Sequence, residues 1–356
     1  METKKRTVYL EVMRIIASLA VVFMHTGGDG YTLFAQYSPD RIKYWIYLFM
    51  SVFCKFPIPV FFAISGILLL PKKESIKEIW KKRISRMFLV LILFSFASYM
   101  WDVFEKKGTF SLKEFFRSVY SSQWNYAYWY LYAYLGFLIC LPFLRALVQR
   151  LEKKEYFYLL GIVSVVTGIL PIVEFFISPQ LTWNRNLQVE WLATDIFVYP
   201  LIGYFLQYKL KDYPEKKALI QVWGLNIVGI IASVIMTHYG LVNNRLENNQ
   251  YFFECFSLIN CCAVFLSVKY IMTQCKIPKM IEKLCMFLGK YTFGIYLIHP
   301  LLMWQMLDSI NFCRFFVVKC GIDYMPAGIL YALIIWGMSL LIVMILKSIP
   351  GTKKML

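Results

Sequence analysis

The chain has 356 residues, 59% of them hydrophobic and 18% aromatic, with a formal net charge of +17 at pH 7 and a mean hydropathy of +0.57. That composition exceeds what a soluble globular chain carries, and its apolar residues fall in long blocks, so the expected fold is all-α: a polytopic membrane helix bundle. The basic excess does not indicate nucleic acid, because the cations lie in short runs between apolar blocks, as loops on an anionic cytoplasmic leaflet have them.

The first block, Val8 to His25, follows Lys4-Lys5-Arg6 and contains Glu11 and Arg14. It lacks a small-residue cleavage site, and its charges interrupt what would be a signal peptide's apolar region, so it is expected to remain as the first span. At about 100° and about 1.5 Å per residue, the steps from Arg14 to His25 make roughly three turns and about 16 Å, which puts both on one helix face. Ionisable side chains inside a span are costly, and function is the default explanation for them. A local one stands beside it: Arg14 pairs with Glu11 a turn earlier, and His25 sits at the wet end of the helix.

Blocks of about 20 apolar residues fall near 8–28, 45–70, 84–104, 126–148, 156–177, 189–208, 218–239, 251–272, 284–307 and 326–346, which makes about ten spans. Lys and Arg concentrate in alternate loops, beginning with the N-terminal run and the stretch Lys72 to Arg83, so both termini are expected on the cytoplasmic side and His25 at the outer end of its helix. The nine Cys are scattered without paired C-x-x-C spacing, which argues against a zinc site or a dense disulfide framework, and no metal site is expected. Cys313 and Cys320, in an expected outer loop, could pair, but free thiols are the preferred reading.

In the second block, Pro57 and Pro59 remove two backbone donors and are expected to bend or break the helix beside an interior cavity. Ser65-Gly66 reads first as a small-residue packing contact, and Lys55 as a side chain snorkelling to the surface. The next stretch, Lys72 to Arg86, is expected to hold an amphipathic interfacial helix around Ile76, Ile79 and Trp80. Arg83 and Arg86, with Lys82, suit phosphate oxygens. A phosphate-bearing ligand from the cytoplasm and anionic lipid headgroups explain them equally well at this stage. The fourth block opens with aromatics, Trp124 to Tyr132, expected as an outer belt. The ninth carries Tyr296 one turn before His299, a small polar cluster ahead of Pro300. Glu174, Asp195 and Glu254 are acids open to compensating Arg14 or orienting His25.

Taken together, these motifs resemble the acyltransferase 3 family of bacterial integral membrane enzymes, which O-acylate cell-surface polysaccharides and related glycans. The resemblance covers essentially the whole chain as a single domain, 1–356. It rests on Arg14 and His25, on Phe61-Phe62-Ala-Ile-Ser65-Gly66, on Lys82-Arg83-Ile-Ser-Arg86, on Trp129-Tyr130-Leu131 and on Phe293-Gly294-Ile295-Tyr296-Leu-Ile-His299-Pro300. It implies a catalytic role for His25, a required Arg14 and a basic entrance at Lys82, Arg83 and Arg86 that engages acyl-coenzyme A, acetyl-CoA by default. That donor is a substrate, and no permanently bound cofactor is expected. The chain departs from the family pattern at Met87-Phe88, where many members have a proline, and in lacking the periplasmic hydrolase-like domain fused to some members.

The chemistry fits that resemblance. A neutral imidazole with a pKa of about 6–7 can take the proton of a sugar hydroxyl as it attacks a thioester, or accept the acyl group itself, while the arginines supply positive field. The expected partners are acyl-CoA, a glycan or lipid-linked glycan acceptor and membrane lipids; a homo-oligomer is compatible with the sequence. A transporter or flippase of a glycan or lipid-linked precursor is the alternative, and it leaves the basic entrance without a specific role.

Overall fold

The computed structural model describes residues 2–105, 108–177, 184–210, 215–246, 252–306, 309–352 and 355. Among them no strand occurs. The α-helices are α1 Glu2–Met24, α2 Ile42–Phe53, α3 Pro57–Leu69, α4 Ile76–Ile79, α5 Ser85–Glu105, α6 Leu112–Ser121, α7 Trp129–Arg150, α8 Lys153–Ser164, α9 Leu170–Ile177, α10 Asp195–Tyr204, α11 Glu215–Val242, α12 Ser257–Gln274, α13 Lys279–Leu288, α14 Thr292–Leu301, α15 Ser309–Cys320 and α16 Tyr324–Ser348. Each apolar block of the sequence is helical. Seven helical stretches among the described residues are long and apolar enough to cross a membrane, or up to eight if the bent pair Lys279–Trp304 and Ser309–Cys320 makes one span. The apolar surface is consistent with lipid: α11 leaves Ile220, Leu225, Val228, Ile231 and Ile235 exposed, a face that hydrocarbon tolerates and water does not.

Two local expectations are corrected, and one is met: the second block breaks at its prolines into α2 and α3, with the Phe53 carbonyl taken up by Asn260. Pro57 and Pro59 occupy the first turn of α3, where backbone N–H groups have no intrahelical acceptor in any case. The interfacial helix expected around Ile76 is a capped start to the third block: Ser75 and Glu78 form a capping box, and the chain winds on through one wide turn at Trp80–Ile84 into α5. The segment around Cys313 is no outer loop but α15, with Cys313 buried, Cys320 exposed and both thiols free.

The described residues group into two compact units, Met1–Pro71 with Leu144–Lys290, and Lys72–Phe143 with Tyr291–Leu356. In the first, α1 packs on α3, α12 and α13, and α3 lies against α10. The closeness of α3 and α10 has a steric origin. A β-carbon on Gly66 would lie 2.6 Å from the Pro200 carbonyl carbon, and one on Gly203 would lie 2.6 Å from that of Ala63, so the two backbones touch through paired glycines. Several buried polar groups find partners here. Tyr9 donates to Gln207 at 2.5 Å, and Asn260 donates to the Phe53 carbonyl at 2.8 Å while accepting from Asn226 at 3.3 Å. Arg145, only 7% exposed, donates through Nε and Nη2 to the Leu69 carbonyl at 3.1 and 2.9 Å, closing the C-terminus of α3.

In the second unit, α16 packs against α14 and α15. Tyr99, Phe115 and Val119 form a buried cluster with Phe96 and Trp124 around it. Phe115 and Val119 come from α6, an amphipathic helix absent from the sequence expectation, whose start Ser111 caps by accepting from the Glu114 N–H.

Candidate active site

α1 runs without proline or glycine from Glu2 to Met24 and stops where Gly27 takes a positive φ of 54°. His25 stands just past the helical end, its N–H still shared between the Val21 and Val22 carbonyls at 3.2 Å each. Between Arg14 and His25 the stripe is made of Ala17, Ser18, Val21 and Val22, all buried, whereas Ile16 on another face is exposed. The Arg14–His25 face of α1 therefore meets protein.

Arg14 is held by Glu11: Nη1 donates to Oε1 at 2.6 Å, with the two side chains 27% and 11% exposed. The acid compensating Arg14 is thus on its own helix. Glu254 has a different partner, accepting from the Lys55 ammonium at 3.1 Å. Lys55, read from sequence as a snorkelling side chain, is thus tied to a carboxylate just ahead of α12. Tyr31, just beyond His25 in the chain, packs edge-on against Phe23 of α1 and donates its hydroxyl to the Ser51 carbonyl at 2.9 Å. Ser65, on α3, turns its hydroxyl back to the Phe61 carbonyl at 2.9 Å.

The second unit gathers two further sets. At the basic entrance every named cation is engaged. Arg83 forms a two-pronged bond to Glu74, Nε to Oε2 at 2.9 Å and Nη2 to Oε1 at 2.6 Å. Lys82 donates to Glu78 at 2.8 Å, one turn back. Arg86 donates through Nε and Nη2 to the Met355 carbonyl at 3.3 and 3.0 Å. The fork geometry that suits phosphate also suits a carboxylate, and here a carboxylate occupies it.

The other set joins the fourth and ninth blocks. Tyr128 donates to the Leu297 carbonyl at 2.9 Å, and the Tyr296 hydroxyl donates to the Ala127 carbonyl. These bonds tie the start of α7 to α14. Tyr130 stacks edge-on against Tyr296 at 5.5 Å, and Tyr296 lies 5.9 Å from the fully buried His299. His299 Nδ1 is 3.1 Å from the Ile295 carbonyl; since a carbonyl only accepts, Nδ1 carries the proton. Trp129 is half-buried beside Tyr130, with ring centroids 6.4 Å apart.

Several contributors went unassigned at the level of sequence. Arg145 carried a signal there, an arginine near the end of an apolar block. Glu74 did not, because nine residues separate it from Arg83. Gly289, four residues ahead of the Phe293 motif, carried none either.

An all-helical, lipid-compatible bundle with buried imidazole and guanidinium groups defines the class as a multi-pass membrane protein. A family model described as an acyltransferase domain matches residues 7–348. The chain belongs to that family, acyltransferase 3, and is an acyltransferase. No curated protein and no solved structure matches it.

Proposed function

We propose that the protein is a membrane O-acyltransferase, acetyl by family default. It moves an acyl group from cytoplasmic acyl-CoA to a hydroxyl of a cell-surface or lipid-linked glycan, at a bacterial plasma membrane with both termini cytoplasmic. The observation that carries this reading is the stripe of α1. Arg14 and His25 lie about three turns apart with Ala17, Ser18, Val21 and Val22 buried between them, in a chain whose family transfers acyl groups.

His25 takes the proton of the acceptor hydroxyl as its oxygen attacks the thioester carbonyl. The tetrahedral intermediate collapses with loss of the coenzyme A thiolate, which recovers the proton from the imidazolium. In the covalent variant the imidazole attacks first and the hydroxyl then displaces it. Arg14 supplies positive charge along the same face. For the donor, the Arg83 fork already meets two oxygens of Glu74, and a phosphate would exchange for that carboxylate in the same geometry.

The test is His25→Ala in cells and in purified protein. Loss of a general base is expected to slow transfer from labelled acetyl-CoA by about 10²–10⁴-fold and to remove acyl increments from the mass of the surface glycan. Unchanged glycan mass together with unchanged coenzyme A release would refute the reading.

A further inference from the structure

Glu11 is more than a counter-charge. One of its oxygens, Oε1, holds Arg14 at 2.6 Å, while the other, Oε2, is fully enclosed without a hydrogen-bond partner. A buried carboxylate oxygen with no donor is costly and would ordinarily rotate towards one. Here the surroundings prevent it. Gly289, where α13 ends, lies directly against the Glu11 side chain. A β-carbon at Gly289 would collide with Oε2 and lie 2.9 Å from Cδ and 2.8 Å from Cβ of Glu11. Gly289 has no positive φ, so the backbone conformation does not demand glycine; the space occupied by the carboxylate does.

We infer that Gly289 and Glu11 are positioning residues for Arg14: the hollow left by the missing side chain fixes the carboxylate, and the carboxylate fixes the guanidinium on the face that leads to His25. This rests on the reading that Arg14 serves acyl transfer. It adds a residue from the far end of the chain to that reading. It also explains a partly enclosed acid kept beside glycine where an apolar side chain would pack at lower cost.

The experiment uses full-length protein in detergent, acetyl-CoA as the probe, and two readouts, coenzyme A release and thermal midpoint. Glu11→Gln keeps the shape that fills the hollow but removes the negative charge that faces Arg14. It is expected to lower kcat about tenfold with the midpoint within about 2 °C of wild type; wild-type kcat overturns the inference. Gly289→Ala, whose methyl group would strike Oε2, Cδ and Cβ of Glu11 alike, is expected to lose at least tenfold; a fully active Gly289→Ala overturns the inference. If Gly289→Ala does not fold, Glu11→Gln still decides. If the wild type releases no coenzyme A, the transfer reading fails by itself. The thermal midpoints of Gly289→Ala and of Gly289→Ala with Glu11→Gly, which removes the opposing side chain, then decide this inference: a higher midpoint in the double variant is expected, and no recovery overturns it.

Discussion

At the scale of single residues, the half-buried cations Arg14, Lys55 and Arg83 and the buried Arg145 each meet a specific oxygen. Arg14 has Glu11, Arg83 has Glu74, Lys55 has Glu254 and Arg145 has the Leu69 carbonyl. Arg145 shows the energetics most plainly, since it caps the C-terminus of α3 where the last carbonyls have no helical donor. Losing hydrogen bonds from a charged donor to a buried acceptor costs about 1.5–3 kcal/mol. Arg145→Gln should therefore lower the thermal midpoint by several degrees, measured by fluorescence-detected size exclusion after heating; an unchanged midpoint would mean that the cap contributes nothing. Of the residues named from sequence, Glu11 next to Arg14 was legible because they are one turn apart. The Glu74 bond to Arg83 was not, because a nine-residue separation across a capping box and a wide turn has no fixed geometry until the chain is folded.

At the scale of elements, the closest packing is between α3 and α10, and it depends on two glycines facing backbone. The atoms that a side chain would strike at Gly66 belong to the Pro200 backbone and those at Gly203 to the Ala63 backbone. Neither can move aside as the tip of a flexible side chain can. Overpacking of a filled interior costs about 1–3 kcal/mol, and more where the obstruction is rigid. Gly66→Leu is accordingly expected to abolish the monodisperse peak on size exclusion, whereas Ser65→Ala, which loses only a bond to its own helix, should leave it intact. The sequence offered Ser65-Gly66 as a packing pair but could not name the partner, which lies some 130 residues away. For the same reason α6 was missed. Its polar average hides the two apolar residues, Phe115 and Val119, that bury against Tyr99 and Trp124.

At the scale of the whole molecule, the proposed orientation makes a prediction that uses the folded exposure of the thiols. Cys275 and Cys320 are the exposed thiols among the described residues, and Cys54, Cys255, Cys261, Cys262 and Cys313 are buried. With both termini cytoplasmic, Cys275 faces the cytoplasm and Cys320 the outside. A membrane-impermeant maleimide applied to spheroplasts should label Cys320 and spare Cys275, and lysis should expose both. Labelling of Cys275 before lysis would invert the topology and, with it, the cytoplasmic donor entrance.

What the sequence determined by itself is the helical membrane architecture, the residues of α1 that share a face and, through the resemblance of its motifs, the family. The first two are properties of hydropathy and helical period, fixed by covalent spacing alone. What only the tertiary structure decided is the partner of each charge, Glu254 for Lys55 among them, and the glycine that seats Glu11. The physical reason is the same throughout: in an interior with little water an ion or carbonyl must take whichever complementary group the packing brings within about 3 Å, and that choice depends on the folded path of distant segments.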